Sequence, residues 1–238
     1  MRAVIFDWGG TLTPWYPVDY VAAWRSYADH LHPGDAAQAA RVAQAIVTAE
    51  EEHWTVARDH HKAFTLAQVL AAAGAPHHDD GLAAYRTFWD PSTYTDPDVE
   101  PTVSALKAQG LRLGVLSSTP WPREWHEEVL RRDGVLHLFD ALVWSSDLTY
   151  TKPHAEAFLA AMRAVGVDDP ADCVYVGDRL YDDISGAKSV GMRAVWVPHS
   201  DIPEYQKVPV DVEPDAVIQR LTDLPGVLER WHNPPPRH

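Results

Sequence analysis

Cysteine is nearly missing from this sequence: Cys173 is the single one in 238 residues. That excludes an internal disulfide and any thiolate-rich metal set, and a reducing setting, the cytoplasm, is expected. No run of about eighteen apolar residues occurs, which excludes a membrane-spanning helix. The opening residues, MRAVIFDW, pass straight into a strand pattern without the charged, apolar and cleavage-site succession of a secretion signal. Cations are also scarce. Twenty Lys and Arg stand against 34 Asp and Glu, a formal charge of −14, and no stretch forms a basic stripe. A nucleic-acid partner needs such a stripe to neutralise phosphates, so neither nucleic acid nor membrane is expected. A small anionic substrate stays possible, because a few local cations reverse the potential inside a cleft. No internal repeat or low-complexity tract is present, and 46% hydrophobic with 23% charged residues is a globular composition.

What is present is a change of rhythm along the chain. Ala3-Val4-Ile5-Phe6 is a short apolar run that breaks into Asp7-Trp8-Gly9-Gly10-Thr11, a buried strand entering a glycine turn. Over residues 18–89 the apolar spacing becomes helical. Val21, Trp24, Ala28 and Leu31 share one face, and Val42, Ile46, His53 and Val56 another. Leu66, Val69, Leu70 and Ala73 form a third stripe, and Leu82, Tyr85, Phe88 and Trp89 a fourth. Asp35 and Thr65 are placed to cap helices, with Gly74 just past the end of the third. From residue 102 helix and strand alternate: helices over 102–109, 124–132, 155–165 and 184–190 precede strands over 111–116, 141–144, 173–176 and 193–197. That beat predicts βαβ units and a parallel sheet. One more helix is expected after Asp215, and 233–238 is expected to fray. The fold class is therefore α/β: a doubly wound, Rossmann-like parallel sheet core with an inserted all-helical cap domain. The core takes residues 1–13 and 97–238, the cap 14–96.

In open parallel sheets, ligands bind beyond the C-terminal ends of the strands. Here those ends carry Asp7, Ser117-Ser118, Lys152-Pro153 and Gly177-Asp178. A carboxylate can attack an electrophile such as phosphorus. A second carboxylate beside it calls for a cation, and oxygen donors suit Mg²⁺. A hydroxyl and an ammonium can hold the oxygens of a transferring phosphoryl group. Singly, each of these residues is as well explained as a turn or a cap. Together, in this order, they form a coherent set.

The set resembles the haloacid dehalogenase superfamily, in its phosphatase-like branch with a helical cap after the first motif. The matching residues are Val4-Ile5-Phe6-Asp7-Trp8-Gly9-Gly10-Thr11, Gly114-Val115-Leu116-Ser117-Ser118 and Thr151-Lys152-Pro153. The fourth motif is Val176-Gly177-Asp178 through Asp183-Ile184-Ser185-Gly186-Ala187, followed by Gly191-Met192. The resemblance implies that Asp7 is the nucleophile and becomes an aspartyl-phosphate. It implies that Ser117 binds phosphate, helped by backbone N–H groups at Ser118 and around Trp8, and that Lys152 neutralises nucleophile and phosphoryl charge. Asp178, Asp7 and the Gly9 carbonyl would ligate Mg²⁺, while Asp183, rather than Asp182, would orient water or Lys152 behind them. The implied activity is Mg²⁺-dependent hydrolysis of a small phosphorylated metabolite.

One position departs from the family's pattern. Two residues past the nucleophile, most of its phosphatases carry an Asp as general acid and base, and here that position is Gly9. Water, the substrate or a cap group could substitute, or the leaving group could need little protonation, or turnover could have been lost while binding remained. Haloacid dehalogenation attacks carbon without Mg²⁺ and does not require the acidic fourth motif, so Asp178 and Asp183 argue against it. Phosphonate hydrolysis would use a cap lysine. Lys62 is the only one there, and a solvated role suits it better. Trp15, Tyr16, Arg58, His60 and His61 are candidates to reach the site from the cap side, and Trp121, Arg123 and Trp125 to border its entrance. His60-His61 and His77-His78 read as solvated pairs, and Trp54 and Trp89 as cap core.

Overall fold

The computed structural model describes residues 1–198 and 207–232, so the tail at 233–238 expected to fray lies outside the described residues. Six strands form one parallel sheet among these residues: β1 (Ala3–Phe6), β2 (Arg112–Ser117), β3 (Ala141–Trp144), β4 (Cys173–Gly177), β5 (Arg193–Trp196) and β6 (Ala216–Val217), in the order β3-β2-β1-β4-β5-β6. β1 sits in the centre, with Ala3 opposite both Arg112 and Cys173. Its four residues are wholly buried because each face is covered. Val4 and Phe6 join the cluster that holds Val103 and Leu106, while Ala3 and Ile5 join the one that holds Phe158 and Met162. The period of two in a strand thus distributes one apolar run between two cores.

Five α-helices lie between β1 and β2, and the first four form the inserted block: α1 (Tyr20–Leu31), α2 (Ala36–His60), α3 (Leu66–Ala72) and α4 (Asp79–Trp89). Asp19 and Asp35 accept from Ala22 and Gln38 N–H at 2.9 Å and so cap the first two. Thr65 makes a full capping box with Gln68. Their shared cluster is built on Trp24, Tyr27, Ala43, Ile46, Val69 and Tyr85. Trp24 stacks on Tyr85 at 4.1 Å, and the sheet side contributes Trp121. The reading of the helical block needs correction at four positions. Val21, Val56 and Phe88 are exposed, and Trp54, expected in the cap core, is 38% exposed. In helices this rich in alanine, small residues such as Ala23, Ala39 and Ala43 take the contact face instead.

The remaining helices are α5 (Val99–Ala108), α6 (Arg123–Arg132), α7 (Ala155–Ala164), α8 (Gly186–Ser189) and α9 (Leu224–His232). A π-helical turn, Leu180–Ser185, precedes α8 where one regular helix was expected. β6 was not expected either, since a two-residue strand has no periodicity to read. Where the chain passes to and from the helical block, Asp96 N–H donates to Leu12 C=O at 2.9 Å, which ties the two crossings together.

Candidate active site

β1, β2 and β4 all run in the same direction, so their C-terminal ends deliver Asp7, Ser117 and Asp178 to one edge of the sheet. The turn after β1 is held by its own backbone. Leu12 and Thr13 N–H both donate to Trp8 C=O, at 2.8 and 2.9 Å, and Gly10 N–H donates to Thr13 C=O at 2.8 Å. Gly10 has φ +86°, and a Cβ there would meet Asp178 Oδ2 at 2.5 Å, so only glycine fits. Gly9 is different: a Cβ built on it meets nothing within 4 Å.

Lys152 lies at the centre of the charged groups. Its Nζ is 2.7 Å from Asp7 Oδ1 and 2.6 Å from Asp183 Oδ1, and it donates to Tyr175 Oη at 3.1 Å. Tyr175 in turn donates to Leu116 C=O at 2.9 Å. All four of these side chains are buried. Burial alone would lower the Lys152 ammonium, but the Asp183 and Asp7 carboxylates hold it well above the usual lysine range. Burial pushes the Asp183 carboxyl up to about 6, against the pull of Lys152. Its second oxygen accepts Arg179 N–H at 2.9 Å, so both carboxylate oxygens are used. Asp182 instead faces the cavity beside Arg179, with 3.4 Å between them.

Oxygens of Asp7, Asp178 and Asp183 all lie within 4.8 Å of one another, a buried carboxylate cluster able to hold a metal ion. Thr11 Oγ1 donates to Asp178 Oδ1 at 3.3 Å, and Trp196 Nε1 fixes the Asp178 carbonyl at 2.8 Å. Ser117 is buried, and Thr151 Oγ1 donates to Ser118 Oγ at 2.6 Å, which joins the second and third loops. Trp8 turns away from this cluster. Its ring sits edge-on to His126 at 4.6 Å and near Trp121 and Trp144, at the seam between sheet and helical block. His126 is fully buried, stacked on Trp144 at 4.1 Å, and desolvation lowers its pKa to about 3, so it is neutral.

Above this sheet edge lies a cavity of about 550 Å³, lined by Asp7, Gly9, Ser117, Ser118 and Lys152 below and by residues of the helical block above. Trp15, Tyr16, Trp89, Arg58 and Trp121 line it, as does Trp54. Among the residues named from the sequence, Asp178 and Asp183 lie behind the lining, and His60, His61, Lys62, Arg123 and Trp125 are not on it. Lys62 is exposed and lies 4.0 Å above the Tyr150 ring. Its backbone bridges Tyr150, while Thr151 N–H donates to His61 C=O, so the chain leaving α2 is strapped to the loop that leads to Lys152. His61 Nε2 meets Tyr181 Oη at 3.1 Å. Arg123 pairs with Asp147 at 2.7 Å, and Trp125 packs on Trp121.

Two charged lining residues stand out among those that escaped the sequence reading. Arg179 follows Asp178 directly, and a cation next to a strand-end carboxylate was the available signal. Glu50 falls in the buried stripe of α2, in register with Ala39, Ala43, Ile46 and Ala57, where an acid is out of place. Its Oε2 accepts Trp24 Nε1 at 2.7 Å, and burial pushes its carboxyl up.

Residues 1–191 match the haloacid dehalogenase-like hydrolase family. A glyceraldehyde 3-phosphate phosphatase of Methanopyrus kandleri is 34% identical over 161 residues, 68% of this chain and 64% of that protein. Hexitol phosphatase B of Escherichia coli K12 is 35% identical over 128 residues, 54% of each chain. The matched stretch thus spans between about half and two thirds of these relatives. Among solved structures, a HAD phosphatase from Thermococcus onnurineus superposes with a TM-score of 0.63 at 23% identity, covering 96% of this chain and 98% of that one. A 2-haloacid dehalogenase from Pseudomonas syringae does so with 0.66 at 24%, covering 97% and 99%. Two differently named activities on one fold make these likenesses of fold alone. Among the described residues no helix is long and apolar enough to cross a membrane. The sheet order, the strand-end residues and the match over 1–191 agree: the chain belongs to the haloacid dehalogenase-like hydrolase family.

Proposed function

We propose that this chain is a Mg²⁺-dependent phosphatase of small phosphorylated metabolites, working through an aspartyl-phosphate on Asp7. The observation that carries the reading is the buried contact of Lys152 Nζ with Asp7 Oδ1, at 2.7 Å, at the floor of a cavity lined by Ser117 and Ser118. An Asp7 oxygen attacks phosphorus, the bond from phosphorus to the ester oxygen breaks, and the leaving oxygen takes the electron pair. Water then attacks phosphorus, and the bond from phosphorus to the Asp7 oxygen breaks with its electron pair on that oxygen. Inorganic phosphate leaves while the water's proton passes to solvent, restoring the Asp7 carboxylate. Lys152 holds nucleophile and phosphoryl oxygen together, and its raised pKa keeps it charged throughout. Ser117 Oγ and backbone N–H groups at Ser118 and Trp8 hold the remaining phosphoryl oxygens. Asp183 is a positioning residue, fixing Lys152 from the side away from the cavity.

The donor set fits a hard divalent cation. Asp7, Asp178, Asp182 and Asp183 crowd around the two cations Lys152 and Arg179, which leaves two negative charges in excess. Asp7, Asp178 and the Gly9 carbonyl would hold Mg²⁺, which supplies charge neutralisation at the phosphoryl group when bound. The helical block, 14–96, acts as a cap over a core of 1–13 and 97–238, and the phosphatases named among its relatives support a phosphorylated substrate. The single buried cysteine suits the cytoplasm.

The test is phosphate release from acetyl phosphate, a small activated substrate, with Mg²⁺ and with EDTA, beside Asp7→Asn. Release that stops with EDTA and falls on the order of 10⁴-fold or more in the variant is expected. Release indifferent to both overturns the reading, and halide release from a 2-haloacid without Mg²⁺ would replace it with dehalogenation.

A further inference from the structure

The phosphate end of the cavity says nothing about the organic group a substrate carries, but two independent features of this chain do. The first is the upper wall. Trp15, Tyr16, Tyr20, Trp54, Trp89 and Trp121 all line it. Trp54 and Tyr16 remain 38% and 47% exposed there, and Trp54 is held edge-on against Phe64 at 4.9 Å. Three polar groups on the same wall are already engaged. Glu50 accepts from Trp24, Thr93 Oγ1 donates to Asp90 C=O at 3.0 Å, and Arg58 Nε donates to Asp59 at 2.8 Å. A polyol needs a hydrogen-bond partner for each hydroxyl it buries, and these three groups already have theirs. A flat apolar ring needs what this wall does offer, aromatic faces and edges. The volume, about 550 Å³, suits a small molecule rather than a macromolecular segment.

The second feature is Gly9. With no side chain there, the acid that would protonate an alkoxide leaving group is missing two residues from Asp7. A phenol, with a pKa near about 10, leaves as its anion far more readily than an aliphatic alcohol, whose pKa is near that of water at about 16. Wall and turn therefore select the same chemistry from opposite ends of the cavity.

We propose that the substrates of this chain are small aryl phosphates, monoesters of a phenolic hydroxyl whose ring is held among Trp54, Trp89, Tyr16 and Trp121 while the phosphoryl group meets Asp7. The bond from phosphorus to the phenolic oxygen breaks with its electron pair on that oxygen. The phenolate leaves as the anion and takes its proton from bulk water. The assignment rests on the phosphatase reading for its reaction but not for its ligand.

Binding and turnover are therefore measured separately. Calorimetry with phenylphosphonate and methylphosphonate, in Mg²⁺, reads the wall without chemistry. Phenylphosphonate is expected to bind at least tenfold more tightly, and Trp54→Ala or Tyr16→Ala to remove most of that preference. In turnover, kcat/KM for phenyl phosphate is expected to exceed that for glycerol 3-phosphate by a hundredfold or more. Equal affinity for the two phosphonates, or glycerol 3-phosphate turned over as well as phenyl phosphate, overturns the proposal. Acetyl phosphate separates the two failures. If it is not hydrolysed while phenylphosphonate is still preferred, the phosphatase reading fails and the aromatic ligand class stands. If it is hydrolysed and the phosphonates are not distinguished, the reverse holds.

Discussion

The two walls of the cavity are built on opposite principles. The lower wall is a set of strand ends where charge is dense and interlocked, with Lys152 bound to Asp7, Asp183 and Tyr175 at once. The upper wall is a set of helices and linkers where rings face the space and the charged residues, Glu50, Glu51 and Arg58, do not interlock around one centre. A buried ion network has one low-energy arrangement, because each missing partner leaves a desolvated charge. Aromatic walls impose no such condition, and exchange of one ring for another changes the shape of the space more than the stability of the fold. The lower wall thus fixes a reaction and the upper wall a range of ligands.

Breaking the lower wall should cost most. Asp183→Ala removes a fully buried carboxylate that binds both Lys152 and the Arg179 N–H. A loss of about 3–5 kcal/mol is expected in urea unfolding, as for other buried pairs that lose one partner. Trp54→Ala on the upper wall should cost far less by the same measurement, since Trp54 is partly exposed. Comparable losses for the two would erase the contrast between the walls.

Adding a group to the lower wall sharpens the comparison instead. Space around Gly9 is open, so Gly9→Asp should fold and supply the missing acid. Turnover of alkyl phosphates is expected to rise about 10²-fold, with a smaller gain for aryl phosphates that need no proton. An equal gain for both substrate types would show that Gly9 does not shape leaving-group preference.

The seam between the walls offers an effect that is small in any one pH unit and is resolved by pH. His126 has its pKa lowered from 6.5 to about 3 by burial, so below about 6.5 the unfolded chain binds a proton that the folded chain refuses. Stability from this group is present above pH 6.5 and is lost as pH falls toward 3, by up to about 1.4 kcal/mol per pH unit. His126→Phe keeps a ring on Trp144 and removes the titration, so its acid unfolding curve should be flatter than that of the parent chain over this window.

The same contrast explains what was legible in the sequence. Strand ends announce themselves, because an apolar run such as Ala3-Val4-Ile5-Phe6 must stop at the first charge, and Asp7 sits there. The parallel order of the sheet follows from the alternation of helices and strands. The inserted helices were legible as helices, through Asp35, Thr65 and the apolar spacing, but not in which way each face turned. Val21, Val56 and Phe88 face solvent, because alanine packs as close a helix contact as a larger residue does. Trp54 could not be told from a core residue, since a ring that lines a cavity and a ring that fills a core occupy the same kind of position on a helix. Arg179 and Glu50 were missed for a related reason: each stands beside a stronger local pattern that accounts for its neighbours.

The most direct measurement is rapid quenching of the protein with phenyl phosphate and Mg²⁺, followed by mass spectrometry of the peptide that contains Asp7. The account predicts one phosphoryl group on that peptide, absent from Asp7→Asn and lost with time as phosphate is released. Phenyl phosphate hydrolysed at full rate with no phosphoryl group captured on Asp7, or with the group on another residue, would contradict it.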